Sequence, residues 1–305
     1  MNTKQIKYVL VLAREGSFSQ AAECLNISQP SLSQYIKKIE TETGTTLFDR
    51  SGSTIVLTEA GKVYVEAGRK MLELEHCMEQ QFSDLADYKT GHVTVGISPY
   101  RSICYMPQVA LRFRDKYPGM YLVVEERVGK DLLVGAENGE FDLCITTLPI
   151  DEKKFSYECM MEEEFVLAVS TKCVDYAMLD SHAETRENTI YPEVDMQLCS
   201  GLDFVMLNET QVMQHVLENA CEEHHIVPRK AIECRSIEAQ LSMVKAGMGI
   251  ALVPTTIARF LKEDSVRFYS IKQHISKREV VVAYRKGQKL SQAVKDLKEI
   301  IKEMG

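Results

Sequence analysis

The residues that could do chemistry fall into two groups, far apart in the chain. In the first, Gln29, Ser33 and Lys37 recur every fourth position, and Pro30, Gln34 and Lys38 form an adjacent row. On a helix the two rows share one face. That face is short and hydrogen-bonding at its N-terminal end and basic further along. Ser and Gln match the donor and acceptor groups of base edges in a major groove, and Lys pairs with phosphates. Arg50 adds a cation that could reach a backbone or a minor groove. In the second group, hydroxyl and amide residues follow apolar runs: Ser98 and Tyr100; Thr146 and Thr147; Asn208, Thr210 and Gln211; Ser236; and the turn Gly247-Met248-Gly249. Hydroxyls and backbone N–H groups at helix N-termini favour a carboxylate or similar anion. Glu209 and Glu238 oppose this, since either could occupy a positive helix end or repel an anion; Arg101 and Lys130 would restore the balance.

Elements must hold these residues in place. Ile6, Val9, Leu10 and Ala13 predict one helical face over Thr3–Glu15, ended by Gly16. Ser17 and Gln20 have the spacing of a capping box, opening a short helix with Ala21, Ala22 and Leu25. Asn26 tolerates the left-handed conformation of a tight break. Ser28 and Pro30 suit the start of a third helix, in which Leu32, Ile36 and Ile39 face inward. Leu47–Leu57 reads as a small hairpin turning at Ser51-Gly52. Together these make a winged helix-turn-helix over 1–58.

Thr58 can cap the next element, a helix over 59–90. It carries an apolar or small stripe at Ala67, Met71, Leu74, Met78, Phe82, Leu85 and Tyr88. Such a stripe requires a partner surface, either its own domain or a second copy of the chain. From His92 strands and helices alternate. Strands are expected at Val93–Ile97, Tyr121–Glu125, Phe141–Thr146, Phe165–Val169, Phe204–Leu207, Ala231–Cys234, Ile250–Val253, Val266–Ile271 and Val280–Tyr284. The order predicts a parallel α/β architecture in two lobes over 91–305: lobe I about 91–161 and 267–305, lobe II about 162–266. Ligands in such sheets sit beyond the carboxyl ends of the strands, in the cleft.

Composition sets the outer limits. The 305 residues carry a net charge of -8, which excludes a whole-chain electrostatic nucleic-acid binder but not a small module. Residues 1–58 carry a net +1 and the rest -9. No apolar run approaches the ~18 residues of a membrane span, and Lys4, Gln5 and Lys7 interrupt any export signal. The nine Cys are odd in number and scattered from Cys24 to Cys234, without metal-ligand spacing or a disulfide framework. Reduced thiols in a cytoplasm are the expectation. His224 and His225 point apart on a helix, so no metal site is expected, and no cofactor motif or nucleophile–base pattern occurs.

The residues themselves narrow the reading. Ser17–Leu25, Ile27–Ser33, Ile36–Glu40, Leu47–Arg50 and Leu57–Gly61 closely resemble the N-terminal signature of LysR-type transcriptional regulators. The resemblance continues, less specifically, through Val93–Ile97, Tyr117-Pro118-Gly119, Gly139–Leu143 and Val244–Pro254, which look like that family's effector-binding half, similar in architecture to periplasmic solute-binding proteins. It implies contacts with double-stranded promoter DNA from Gln29, Pro30, Ser31, Ser33, Gln34, Lys37 and Lys38, with Arg50 in the wing. It also implies a small-molecule effector, a homodimer through the linker helix, a tetramer built from two dimers, and RNA polymerase as a partner. Gln34 stands where the family usually has Arg, and Ser53 where the wing often has a basic residue. Fewer cations imply a shallower salt dependence. Val128-Gly129-Lys130 replaces the usual small hydroxyl residue, which suggests an uncommon effector. The rival readings are a receptor or enzyme using the two-lobed domain, with the first module serving assembly, and a thiol-based redox sensor.

Overall fold

The computed structural model describes residues 2–51, 54–85, 91–187, 189–209, 211–260, 265–273 and 275–305. The chain divides into two units, Met1–Tyr88 and Lys89–Gly305.

The first unit contains α1 (Thr3–Glu15), α2 (Phe18–Cys24), α3 (Gln29–Thr43), the hairpin strands β1 (Phe48–Asp49) and β2 (Val56–Leu57), and α4 (Glu59–Leu85). The capping box belongs to α1, not α2. Asn2 accepts from the Gln5 amide while the Gln5 side chain returns to the Asn2 amide. Ser17 precedes α2 but makes no side-chain cap bond; burial of Ala21 and Ala22 holds that seven-residue helix. The inward face of α1 is Ile6, Val9 and Leu12, with Leu10 and Ala13 at its margin rather than on it. Asn26 adopts φ 52° as its type allows. Ser28 caps α3 through the Ser31 amide, and Leu32, Ile36 and Ile39 are buried. The wing is tied to α3 by Glu40, whose Oε1 accepts from the Leu47 and Phe48 amides at 2.9 and 3.3 Å. Thr58 caps α4 through the Gly61 amide. The wing residues Gly52 and Ser53, and Tyr88–Thr90 at the expected boundary, lie outside the described residues. On α4, Tyr64 and Val65 join the core, whereas Met71, Leu74, Met78 and Phe82 are exposed.

The second unit runs β3 (Gly91–Ile97), α5 (Pro99–Lys116), β4 (Met120–Glu126), α6 (Gly129–Glu137), β5 (Leu143–Thr147), β6 (Phe155–Glu163), β7 (Phe165–Ser170), α7 (Tyr176–Ser181), β8 (Glu193–Val194), β9 (Asp203–Leu207), α8 (Val212–Glu223), β10 (Arg229–Cys234), α9 (Ile237–Lys245), β11 (Ala251–Pro254), α10 (Thr255–Phe260), β12 (Val266–Ile271), β13 (Arg278–Arg285) and α11 (Gln292–Lys302). Lobe I is the sheet β4-β3-β5-β13-β6; lobe II holds β11-β7-β12-β8 and the pair β10-β9.

Two expectations are corrected. The sheets are mixed, not parallel: β13 runs antiparallel to β5 and β6, and β7 antiparallel to β11 and β12. A strand that enters a lobe by crossing from the other one starts at the edge where the resident strands end, so it runs against them. The lobe boundaries also move. β12 pairs with β7 and β8 and so belongs to lobe II. The chain therefore crosses between β6 and β7 and returns between β12 and β13, not near 267.

The register also fixes which ends face the crossings. In lobe I, Arg278 pairs with Glu163, Val280 with Thr147, and Ile97 with both Ile145 and Glu126. The carboxyl ends of β3, β4, β5 and β6 thus share the crossing edge. In lobe II, Pro254 pairs with Phe165, the first residue after the crossing. Strand β9 runs parallel to the entry of β11 through Phe204 and Ile250, and β10 parallel to β9. Their carboxyl ends, and the starts of α8 and α9, also lie on the crossing edge.

Candidate functional site

Each unit presents one set of candidate residues. In the first, burial of Leu32, Ile36 and Ile39 turns the opposite face of α3 outward. Gln29, Pro30, Gln34, Lys37 and Lys38 are exposed there, and Ser31 and Ser33 half-buried. Ser31 is partly committed, its Oγ lying 2.7 Å from the Ser28 Oγ. Lys38 lies 3.9 Å from Glu42 on the next turn, a loose surface contact. Arg50 is placed differently from a free wing cation. Its Nη2 meets Glu40 Oε2 at 2.8 Å and its guanidinium lies over the Phe18 ring at 5.1 Å. It buttresses the wing against α2 and α3.

In the second unit the topology brings Ser98, Tyr100, Thr146, Thr147, Asn208, Gln211 and Ser236 to one edge. Their states differ. Ser98 stands at the N-cap of α5 yet makes no cap bond, and its Oγ is buried without a hydrogen-bond partner. Thr146 is buried and Thr147 half-buried at the end of β5. The Asn208 amide donates to the Cys234 carbonyl and so links β9 to β10. Gln211 donates its side-chain amide to the Arg235 carbonyl at 2.9 Å. Ser236 caps α9 through the Ala239 amide. Thr210 lies outside the described residues. Gly247 is corrected. It follows the C-terminal end of α9, at the edge away from the crossings, where its φ of +86° and its closeness to Lys172 mark a turn. A helix that starts at one edge of a sheet ends at the other.

Tyr100 belongs to a buried ionic cluster that the sequence did not reveal. Glu163, fully buried, accepts from Arg101 Nη2 at 2.7 Å, from Arg278 Nε at 2.6 Å and from the Thr256 hydroxyl. Arg278 also donates to the Tyr100 hydroxyl at 2.9 Å, and Tyr105 meets the Thr256 hydroxyl at 3.3 Å. The cluster joins α5, β6 and β13 of lobe I to α10 of lobe II. Burial pushes the Glu163 carboxyl up, but the charges of Arg101 and Arg278 and its hydrogen bonds outweigh that and hold it below the usual value. Burial also drives the Tyr100 phenol well above its usual range, so it stays neutral. Glu163 was hidden in the run Glu162-Glu163-Glu164, which reads as a solvated stretch. Strand alternation within β6 was the available signal: Glu163 lies two after the apolar Met161, hence on its face.

The thiols bear on the redox reading. Burial pushes Cys104, Cys144 and Cys199 up to about 12 and Cys221 up to about 11. Reactive thiols need the opposite shift. Among the described residues no three His, Cys, Asp or Glu gather to hold a metal ion, and no helix is long and apolar enough to cross a membrane.

Comparison with known proteins agrees with this layout. Residues 3–62 match the model of the bacterial regulatory helix-turn-helix protein, lysR family, and residues 86–305 that of the LysR substrate binding domain. The chain is 28% identical to the uncharacterized HTH-type transcriptional regulator YcgK of Bacillus subtilis, covering 99% of this chain and 94% of that one. It is 24% identical to the DNA-binding transcriptional dual regulator OxyR of Escherichia coli K12, covering 99% and 95%. Among solved structures, full-length CbnR bound to its target DNA superposes with a TM-score of 0.63 at 19% identity, over 100% of both chains. A full-length OxyR variant from Pseudomonas aeruginosa gives 0.65 at 22%, over 100% of this chain and 94% of that one. An outward α3 in a winged helix-turn-helix, followed by a two-lobed domain that matches its family model to the last residue, gives the chain its place: it belongs to the LysR-type transcriptional regulators, DNA-binding proteins with an effector-binding domain.

Proposed function

We propose that this regulator reads paired promoter half-sites as a homo-oligomer and is switched by a small carboxylate or other anion at the crossing edge of its two lobes. The observation that carries the oligomer is α4. Met71, Leu74, Met78 and Phe82 follow steps of three and four and are 45, 63, 48 and 63% exposed. A stripe of that kind is stable in water when a second helix covers it. Pairing α4 with α4 presents two α3 helices, and two recognition helices about one DNA turn apart read two half-sites. CbnR, whose fold this chain shares, has been solved with its target DNA, which supports DNA as the partner here.

In this reading Ser33 and Gln29 contact base edges, and Lys37 and Lys38 contact phosphates. The effector acts through its different affinity for two arrangements of the lobes. Dimers pair into a tetramer, which carries the change to the spacing of the DNA-binding pairs, to DNA bending and so to RNA polymerase. Work on chromosomal DNA places the protein in the cytoplasm. The test is retention of sheared host DNA by the purified protein, with non-specific competitor, followed by sequencing. Enrichment of sites with paired half-sites is expected, and the Ser33→Ala, Lys37→Ala double variant should lose it. An unchanged pattern in the double variant overturns the assignment of α3.

A further inference from the structure

Glu40 is out of place by charge. It stands three residues after Lys37 on α3, in the unit that meets a polyanion. A carboxylate beside a DNA backbone repels it, so electrostatics alone favour a neutral residue there. The bonds of Glu40 show a different use. Its Oε1 accepts from the Leu47 and Phe48 amides, where the chain enters β1. Its Oε2 accepts from Arg50 Nη2, where the chain leaves β1. One carboxylate thus grips both ends of the first wing strand, and its side chain is only 12% exposed.

Arg50 completes the joint. Besides meeting Glu40, it lies over the ring of Phe18, the first residue of α2. A guanidinium is planar, so a carboxylate at its fork and a ring at its face fix its orientation. Three elements, α2, α3 and the wing, therefore meet at one side chain. Backbone bonds from Thr58 to Leu47 and from Ile55 to Gly16 hold the foot of the hairpin. Those bonds do not reach α3; Glu40 and Arg50 do. The pair is also neutral, one cation against one carboxylate. Paired in this way, Arg50 neutralises no phosphate and releases no counterion, unlike an exposed lysine such as Lys37.

We propose that Glu40 and Arg50 are positioning residues for DNA recognition: they set the wing against α3 and make no DNA contact of their own. Contacts with the DNA backbone fix register and orientation, and contacts with base edges specify. A wing held at one angle lets both kinds be made together. Non-specific binding needs only charge and is indifferent to that angle. The pair therefore acts on the preference for one site over others, not on affinity in general. This rests on α3 being the recognition helix, and it makes Arg50 a brace of the wing instead of a contact in it.

Fluorescence anisotropy of the full-length protein across a salt series tests this. The probes are the paired site most enriched from host DNA and a random-sequence duplex of equal length. Glu40→Gln keeps an oxygen for the two amides and removes the charge that holds Arg50. It should bind the paired site at least threefold more weakly and the random duplex at least as tightly. Glu40→Gln combined with Arg50→Gln keeps the net charge. It should show a similar loss on the paired site, with the random duplex within twofold and the slope of log affinity against log salt unchanged. If Glu40→Gln binds the paired site within threefold of the natural protein, or more tightly, the carboxylate only repels DNA and the proposal is overturned. Weakening of both duplexes in proportion marks a merely structural role and overturns it too. A slope lower by about 1 in the double variant makes Arg50 a phosphate contact, which also sinks the proposal. Failure of the α3 reading shows separately, as a site preference unchanged by Ser33→Ala with Lys37→Ala. If no site is preferred over random sequence, both readings fall.

Discussion

At the residue scale, two side chains carry the sharpest expectations. Lys37 is exposed on the outer face of α3, where the nearby Glu40 is taken by Arg50, whereas Lys38 faces Glu42. Replacing it with Ala should weaken binding about equally on all sequences and lower the slope of log affinity against log salt by about 1. Fluorescence anisotropy across a salt series measures this; an unchanged slope removes Lys37 from the phosphate contacts. Glu163 is the opposite case, a buried carboxylate holding the buried Arg101 and the largely buried Arg278. Glu163→Gln leaves those charges uncompensated, and such losses cost about 3–5 kcal/mol, readable in urea denaturation of the full chain. The pH dependence has a definite sign. The Glu163 carboxyl is lowered from the ordinary 4.5 by its cationic partners against the effect of burial. Its contribution is therefore complete above that value and is lost as pH falls below it. The stability gap between the natural protein and Glu163→Gln should be constant near neutrality and narrow in acid. A gap that stays constant down to the lowest pH at which the fold survives would contradict this account.

At the scale of the element, α4 is packed near its start and exposed along its apolar stripe. Near its start it packs against the wing so closely that a Cβ on Gly61 would stand 2.0 Å from the Leu47 carbonyl oxygen. Ala is the better helix former by about 1 kcal/mol, but here the backbone has nowhere to go. Overpacking of this kind costs about 1–3 kcal/mol or more. Gly61→Ala should lower the melting temperature, whereas an Ala placed at an open helical site would raise it; calorimetry decides. Further along, the exposed stripe is the association surface proposed above. Leu74→Glu with Phe82→Glu should yield a monomer in sedimentation velocity. It should bind an isolated half-site as the natural protein does and lose the advantage of a paired site. A dimer that persists in this variant places the oligomer contact elsewhere.

For the whole molecule, the proposed switch requires a signal that moves the lobes. Several relatives are named for hydrogen peroxide or for OxyR, yet the buried thiols of this chain are pushed away from reactivity. Peroxide at levels that leave the fold intact should therefore change operator affinity less than twofold, and alkylation after denaturation should still find the thiols of Cys104, Cys144, Cys199 and Cys221. Loss of thiols together with altered DNA binding would restore the redox reading. The ionic cluster gives the lobes a physical connection instead. It ties α5, β6 and β13 to α10, so a ligand bound at the start of α5 lies beside groups belonging to both lobes.

Local chemistry made much of this legible before any coordinates. The caps at Ser28 and Thr58, the left-handed Asn26, the inward row of Leu32, Ile36 and Ile39 and most strands follow from spacing and side-chain type, because each depends on neighbours a few residues away. The outward face of α3 follows from the same row. What depends on distant pairing was decided by the tertiary structure alone. The antiparallel entry of β7 and β13, the place of β12 in lobe II, the committed Arg50 and the far-edge position of Gly247 all come from which strand ends meet. Glu163, Arg101 and Arg278 span 178 positions of sequence, and no local pattern says that one acid among Glu162, Glu163 and Glu164 will be taken inside by two arginines. Side-chain types determine which residues can cap, face inward or carry charge; only the chain's return crossings decide which charges are enclosed together.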